Sequence, residues 1–299
     1  MTRLQSRLEA GKPALIAQVS PPASGDAGQM RKLAQSFAGK VHALGVLDNN
    51  REIRMSALAA ASLVAAEGVE PILHVATRDR NRIALASDRL GAAALGIRNV
   101  LCTTGTHQTL GDCRSARNVH DIDSVQLMQM YASAADGQAV GNGAGGVASF
   151  CVGGVAAPFA DPIELQVSRL AKKVQAGAKF LATQPIFDLV RFTAWWQEVT
   201  RRGLDKKVAI LAGIRVLTSA QEAAAYAQRR PLPRVPDSLL QRLAAKTNPD
   251  QQRQEGIQIA CETIQTLRAL KGLRGFDISS GDDCSAALAV IEAAGLRTE

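Results

Sequence analysis

The chain has few aromatic side chains and fewer acids than bases. Of its 299 residues, 4% are aromatic: two Trp, two Tyr and seven Phe. This leaves little material for stacking on nucleic-acid bases. Lys and Arg number 35 against 27 Asp and Glu, a net charge of +8, and the cations form no run. We therefore predict no nucleic-acid partner and assign the positive charge to an anionic small molecule.

Long apolar runs and paired cysteines are also missing. No stretch reaches the roughly 18 to 20 apolar residues of a membrane-spanning helix, and the amino-terminal MTRLQSRLEAGKP lacks the apolar region of a signal peptide. The five cysteines are odd in number and without C-x-x-C spacing, and the four histidines show no ligand spacing. We expect free thiols, no metal site, no membrane partner and a cytoplasmic location.

Short apolar runs alternate with helix-length segments along the whole chain. The runs predict strands at 14–19, 41–47, 70–76, 98–103, 148–154, 179–183, 207–213 and 273–278. Predicted helices between them include 54–66, 80–95, 121–134, 162–177 and 188–202. This alternation indicates parallel strands with crossover helices, and eight units without a linker favour one α/β domain over 1–299, a (β/α)8 TIM barrel. An open doubly wound sheet is the alternative, but the glycine-rich stretch 137–146 precedes a strand and no G-x-G-x-x-G follows one.

Two segments exceed a minimal barrel unit. The polar stretch near 104–116 follows the fourth strand, so it must cover the carboxyl face, where barrel active sites lie. The stretch near 229–254 predicts a proline-rich turn and then a helix that starts at Asp237 or Ser238. Both segments are candidates for lids or ligand walls.

The predicted strand ends are rich in hydrogen-bonding groups and poor in paired acids. Only Asp48 and Asp277 stand as carboxylates near one another in strand order, so hydrolysis by two carboxylates is disfavoured. His74 is open to two interpretations, a hydrogen-bonded core histidine or a ligand contact. Gln184 is equally open, and Asp79 fits the N-cap of the following helix.

The run HVATRDRNRIALASDRLGAAALGIRNVLCTTG (74–105) resembles the H-x-T-x-R-D-R-N-R segment of flavin-dependent methylenetetrahydrofolate reductases, especially the short form of acetogenic metabolism. VSPP (19–22), VLDNNREIRMSALA (46–59), KKVQAGAKFLATQPIFD (172–188) and ILAGIRVLTS (210–219) continue the similarity in order over nearly the whole chain. The resemblance implies a (β/α)8 barrel with FAD at the carboxyl face. It also implies hydride transfer between flavin and folate, with a carboxylic acid protonating the folate nitrogen.

The resemblance also assigns individual residues. It places the pterin beside Gln184 and Phe187, and it gives Asp48 a catalytic position. It implies FAD contacts for one group of residues: His74, Thr104, Gly105, Thr106, His120, Lys172 and Lys173.

Two departures from the family pattern concern the chemistry. Gln18 stands where the family has the glutamate that serves as general acid, and an amide cannot donate that proton. Thr106 stands where the loop after the fourth strand has an aspartate that tunes the flavin. His107 is the substitute proton donor that we predict, because its reference pKa is about 6.5.

The sequence therefore predicts an FAD-dependent oxidoreductase of one-carbon metabolism that interconverts 5,10-methylenetetrahydrofolate and 5-methyltetrahydrofolate. The alternative is a catalytically impaired flavin- or folate-binding subunit of a methyl-transfer or redox complex. We expect a homo- or hetero-oligomer, with a partner protein that supplies electrons or methyl groups.

Overall fold

Eight parallel strands close into a barrel in the order β1 to β8, each strand pairing with the next and β8 with β1. The structure is a computed structural model that describes residues 1–133, 149–229 and 232–298. The predicted glycine-rich loop at 137–146 lies outside the described residues. The predicted (β/α)8 barrel is confirmed, and the open sheet is not formed.

The strands are short and almost wholly buried: β1 Ala14–Val19, β2 Ala43–Val46, β3 Pro71–Ala76, β4 Asn99–Thr103, β5 Cys151–Ala156, β6 Phe180–Pro185, β7 Ala209–Arg215 and β8 Gly275–Ser279. The α-helices of the described residues surround them: α1 Arg3–Glu9, α2 Ala27–Phe37, α3 Ala57–Ala66, α4 Arg82–Ala94, α5 Ser124–Ala132, α6 Ile163–Gln175, α7 Leu189–Arg201, α8 Ala220–Arg229, α9 Asp237–Ala244, α10 Pro249–Arg268 and α11 Cys284–Ala293. Each predicted strand overlaps an observed one, with ends displaced by up to three residues.

The apolar core has two layers. Inside the barrel, side chains such as Ile16, Ile72 and Phe180 form one cluster, and Leu4 of α1 joins it from the amino-terminal face. Phe180 needs the space that Gly153 leaves, because a Cβ there would lie 2.2 Å from its ring. A larger cluster fills the layer between sheet and helices. The amino-terminal half of the interior is therefore apolar, which leaves the carboxyl half for chemistry.

The start of α4 differs from the sequence-based expectation. Asn81, and not Asp79, is the N-cap, with its side chain accepting a hydrogen bond from the Ala84 backbone N–H at 3.1 Å. Asp79 instead forms a two-pronged ion pair with Arg78. A competing arginine next to Asp79 in the chain therefore decides which residue caps the helix.

The predicted insertion near 229–254 begins where α8 ends and contains α9; the two helices pack with each other around a small apolar cluster that includes Leu217, Val235 and Leu243. The predicted helix start at Asp237 is confirmed. The segment near 104–116 is a loop with one 3₁₀ turn, Gln108–Leu110. Among the described residues, no helix is long and apolar enough to span a bilayer.

Candidate functional site

A buried polar pair lies inside the barrel, where β1 and β8 meet. Asp277 faces the interior because Phe276 and Ile278 on either side of it pack in the outer layer. The Gln18 side-chain amide donates a short hydrogen bond to Asp277 Oδ2. Asp277 Oδ1 is buried without a partner, and the residue is 2% exposed. The carboxyl group therefore has one oxygen engaged and one available to a ligand.

Burial controls the protonation of Asp277. Removal from water disfavours the carboxylate and raises the pKa of Asp277 from 3.8 to about 7, although the Gln18 hydrogen bond acts in the opposite direction. Among the described residues, no cation forms an ion pair with Asp277. A carboxyl group of this kind can donate or accept a proton near neutral pH.

His74 lies beside this pair. Gly45 of β2 separates the two, and a Cβ at Gly45 would lie 2.9 Å from His74 Nε2 and 3.4 Å from Gln18 Cγ. His74 Nε2 is buried and has no hydrogen-bond partner. Burial lowers the pKa of His74 from 6.5 to about 4, against a smaller opposing effect of Asp48. The imidazole is therefore neutral at pH 7 and has a nitrogen free for a ligand.

Asp48 is held on all sides by the protein. Its oxygens accept hydrogen bonds from the backbone N–H groups of Asn49 and Ala76, both at 3.0 Å. The Arg80 guanidinium donates to both oxygens, at 2.5 and 3.2 Å. These donors hold the carboxylate in place.

Arg78 joins the loops after β2, β3 and β4. Besides its pair with Asp79, its guanidinium donates to the carbonyl oxygens of Asn49 (2.7 Å), Asn50 (3.2 Å) and Thr106 (2.6 Å). All five N–H groups thereby have acceptors. Arg78 is 6% exposed, so it fixes the loops as part of the core.

The loop after β4 packs against Arg78. Gly105 adopts φ +88°, and a Cβ there would come within 3.0 Å of Arg78 Cβ. Thr106 Oγ1 donates to Asn50 Oδ1 at 2.9 Å. The backbone conformation and the lack of space both require glycine at 105.

Three predicted site residues lie on the outside of this face. Thr104 is exposed, with its carbonyl oxygen near the Thr77 hydroxyl. His107 is exposed, and its Nδ1 lies 2.8 Å from Thr109 Oγ1 within the turn that it caps. His120 is exposed with φ +44°. The structure therefore does not bring His107 or His120 into the buried cluster around Asp277.

Lys172 and Lys173 lie in the last turn of α6. Lys172 is exposed, whereas the Lys173 ammonium donates a short hydrogen bond to the Val155 carbonyl oxygen. Burial lowers the pKa of Lys173, in surroundings that include the outward-facing Cys102. The Lys173 ammonium thus lies on the helix side of the barrel wall.

Gln184 lies within a bulge in β6. The register between β6 and β7 shifts after Ala182, and Gly213 makes room for it, since a Cβ there would lie 2.3 Å from the Thr183 carbonyl oxygen. Gln184 Oε1 is buried without a partner. Bulges often re-aim a side chain next to an active site.

Phe187 lies just beyond, packed edge-on against Tyr226 of α8 with ring centroids 5.7 Å apart. Arg215 at the end of β7 stacks over the same Tyr226 ring and pairs with Glu222 at 2.6 Å. These contacts join α8 to the carboxyl ends of β6 and β7.

A cavity of about 460 Å³ opens at the carboxyl ends of β1, β2, β7 and β8. Residues that line it include Ser20, Asp48, Arg54, Arg215, Ser280 and Asp282. Arg215 Nε and Ser280 Oγ are buried without partners, and the cavity is also lined by five carboxylates, those of Asp48, Glu52, Glu222, Asp282 and Asp283. The volume lies within the usual range for small-molecule sites, about 300–1,000 Å³.

Sequence reasoning did not select Asp277, Arg80 or Arg215 as site residues. Asp277 lies near the end of a predicted strand, and an acid between Phe276 and Ile278 was the available signal. The roles of Arg80 and Arg215 depend on ion pairs formed in the fold.

Solved structures share the fold at low sequence identity. A protein from Clostridium thermocellum that binds two copies of 5-methyl-5,6,7,8-tetrahydrofolic acid aligns with a TM-score of 0.66 and 12% identity, covering 97% of this chain and 98% of that one. An F420-dependent secondary alcohol dehydrogenase aligns at 0.53 and 11% identity, over 94% and 98%. A 2,3-dimethylmalate lyase aligns at 0.50 and 12% identity, over 99% and 84%. These likenesses concern the barrel alone.

Comparison with curated protein sequences finds no match. The family model for methylenetetrahydrofolate reductase matches residues 3–295, nearly the whole chain, in agreement with the motif resemblance. The chain belongs to the methylenetetrahydrofolate reductase family.

Proposed function

We propose that the chain is an FAD-dependent oxidoreductase that interconverts 5,10-methylenetetrahydrofolate and 5-methyltetrahydrofolate. Family membership supports the reaction, and the similar Clostridium thermocellum protein, which binds 5-methyltetrahydrofolic acid, supports a reduced folate as ligand. The observation that carries the proposal is the group of buried, unpartnered polar atoms at the carboxyl end: His74 Nε2, Asp277 Oδ1 and Gln184 Oε1. Buried polar atoms without partners are costly unless a ligand satisfies them.

The described residues fit a flavin. His74 offers a neutral ring nitrogen from inside the barrel, and Gly105 brings the backbone close to this face without a side chain. Thr104 and Thr106 flank Gly105 in the same loop, and the flavin contact that the resemblance implies for His120 stays a prediction. When bound, FAD would supply the hydride-transfer chemistry.

An anionic ligand group would find donors in the cavity of about 460 Å³, where Arg215 Nε and Ser280 Oγ are unpartnered. These groups suit a diphosphate or the glutamate carboxylates of a folate. The phosphate contacts predicted for Lys172 and Lys173 stay a prediction, since the Lys173 ammonium already donates to a backbone carbonyl.

The pterin would lie against Gln184 and Phe187. A carboxamide both donates and accepts, which matches the amide-like edge of a pterin. Phe187 adds an apolar face, and its contact with Tyr226 keeps it in position. Asp48 would orient the site as a fixed carboxylate, through Arg80.

The second candidate is a flavin- or folate-binding subunit that does not turn over and works with a partner protein in a homo- or hetero-oligomer. Gln18 and Thr106 favour it, because neither can supply the charge or proton of the family carboxylates. An electron donor or methyl donor would then be a protein.

Titration with FAD and with 5-methyltetrahydrofolate, followed by turnover, separates these candidates. We expect the purified chain to take up FAD and bind the folate. We also expect methylenetetrahydrofolate to reoxidise the chemically reduced, flavin-loaded chain. Binding of both ligands without reoxidation would establish the binding subunit, and failure to take up FAD would refute the flavoprotein proposal.

A further inference from the structure

The general acid is missing from β1, but a carboxyl group occupies the adjacent strand. Gln18 and Asp277 are 259 positions apart in the chain and are joined by a side-chain hydrogen bond. The first and eighth strands pair directly, with Gln18 opposite Ser279 and Ile16 opposite Asp277. An acid lost at position 18 is thus replaced by a neighbouring one at 277, which lies two residues deeper in the register of the barrel.

We propose that Asp277 is the proton donor of this site and that Gln18 holds it in position. This inference rests on the proposed function and adds to it the residue that protonates the folate nitrogen. The hydrogen bond from Gln18 occupies Oδ2, so the proton of the neutral acid belongs on Oδ1, the oxygen that has no partner in the protein.

The proton transfer balances as a simple acid step. The Asp277 Oδ1–H bond breaks, and the proton joins the folate nitrogen that leaves the methylene carbon. The electron pair of the broken carbon–nitrogen bond stays on that nitrogen, and Asp277 becomes a carboxylate. The methylene carbon then accepts a hydride, which the reduced flavin of the proposed function supplies, to give the methyl group.

The other acids and bases of this face are poorer candidates for the proton donor. Asp48 accepts four hydrogen bonds, two of them from an arginine, so both of its oxygens are engaged within the protein. His107 is exposed and engaged with Thr109. His74 is neutral near pH 7, because burial lowers its pKa to about 4.

The charged groups around Asp277 are otherwise compensated. On β7, Gly213 lies opposite Asp277 without a side chain, and Arg215 beyond it pairs with Glu222. Across the barrel, the charged pair is Asp48 with Arg80. On the β1 side the neighbour is the neutral Gln18, and among the described residues His74 lies on the other side of Gly45. None of them replaces the solvation that burial removes, and burial raises the pKa of Asp277 to about 7.

Asp277→Asn tests the assignment in the flavin-loaded chain. We expect the rate of reoxidation by methylenetetrahydrofolate to fall about 100-fold or more, the usual contribution of a general acid. Folate binding should be retained, because Asn keeps the shape and still accepts from Gln18. Adding Gln18→Glu to this variant should raise the rate of reoxidation at least tenfold above that of Asp277→Asn, since it returns an acid to the family position. Asp250→Asn, at the exposed start of α10, is the matched control and should leave the rate unchanged.

The pH profile of the reoxidation rate distinguishes a proton donor from a residue with a purely structural role. The wild-type rate should decline above about pH 7, and Gln18→Leu should shift that decline to higher pH, because it removes the hydrogen bond that lowers the pKa of Asp277. A decline that stays in place in Gln18→Leu, or a rate in Asp277→Asn within twofold of wild type, would overturn the assignment and leave the proposed function intact. A wild-type chain that binds FAD but is never reoxidised would overturn the proposed function, and this inference with it.

Discussion

Asp277→Asn should change how protein stability depends on pH. Burial raises the pKa of Asp277 from 3.8 to about 7. Between these values the folded chain binds more protons than the unfolded chain, so this group makes the free energy of unfolding fall as pH rises. The full effect corresponds to about 4 kcal/mol between pH 4 and pH 8, at about 1.4 kcal/mol per pH unit.

His74 acts in the opposite direction. Its pKa is lowered from 6.5 to about 4, so the unfolded chain binds the extra proton and the free energy of unfolding rises with pH in that window. This contribution is about 3 kcal/mol. In the wild type the two contributions nearly cancel between pH 4 and 6.5. In Asp277→Asn, only the His74 contribution remains.

Urea unfolding from pH 4 to pH 8, followed by the fluorescence of the buried Trp195 and Trp196, measures this difference. We expect the variant to gain up to about 4 kcal/mol relative to wild type as pH rises from 4 to 8. All other titrating groups contribute equally to both proteins. A difference between the two proteins that is independent of pH would refute the buried, neutral carboxyl group.

Two further substitutions test the packing of the site. Arg80→Ala should lower the free energy of unfolding by about 2–3 kcal/mol, because it leaves the carboxylate of Asp48 buried with only its two backbone donors; a loss below about 0.5 kcal/mol in urea unfolding at pH 7 would contradict this role. Gly45→Ala should cost about 1–3 kcal/mol and weaken FAD binding, because its Cβ would lie 2.9 Å from His74 Nε2. Unchanged FAD affinity in a titration would show that the imidazole is not part of the flavin site.

The barrel could be predicted from the sequence because every strand is a short apolar run bounded by turn residues. Strand ends moved by up to three residues, as at β5, where the predicted 148–154 became Cys151–Ala156. The predicted N-cap of α4 was wrong by two residues, because the Asp79 carboxylate is ion-paired with Arg78. The spacing of apolar residues predicts which positions are buried, but it does not predict which of two polar side chains caps a helix.

The candidate site was less predictable. Resemblance to the family indicated Gln18, His74 and Gln184, but the partner of Gln18 depends on closure of the barrel between β1 and β8. The bulge that re-aims Gln184 depends on the lack of a side chain at Gly213. Contacts between residues so far apart in sequence exist only in the folded chain, so local patterns could not reveal them.

The proposed reaction and the role of Asp277 are tested most directly by one experiment. The chemically reduced, FAD-loaded chain is mixed with 5,10-methylenetetrahydrofolate at pH 6 and at pH 8, and flavin oxidation is followed. We expect reoxidation at both pH values, about tenfold faster at pH 6, because a proton donor with a pKa of about 7 is mostly protonated there. Equal rates would contradict the role of Asp277, and no reoxidation at either pH would contradict the proposed reaction itself.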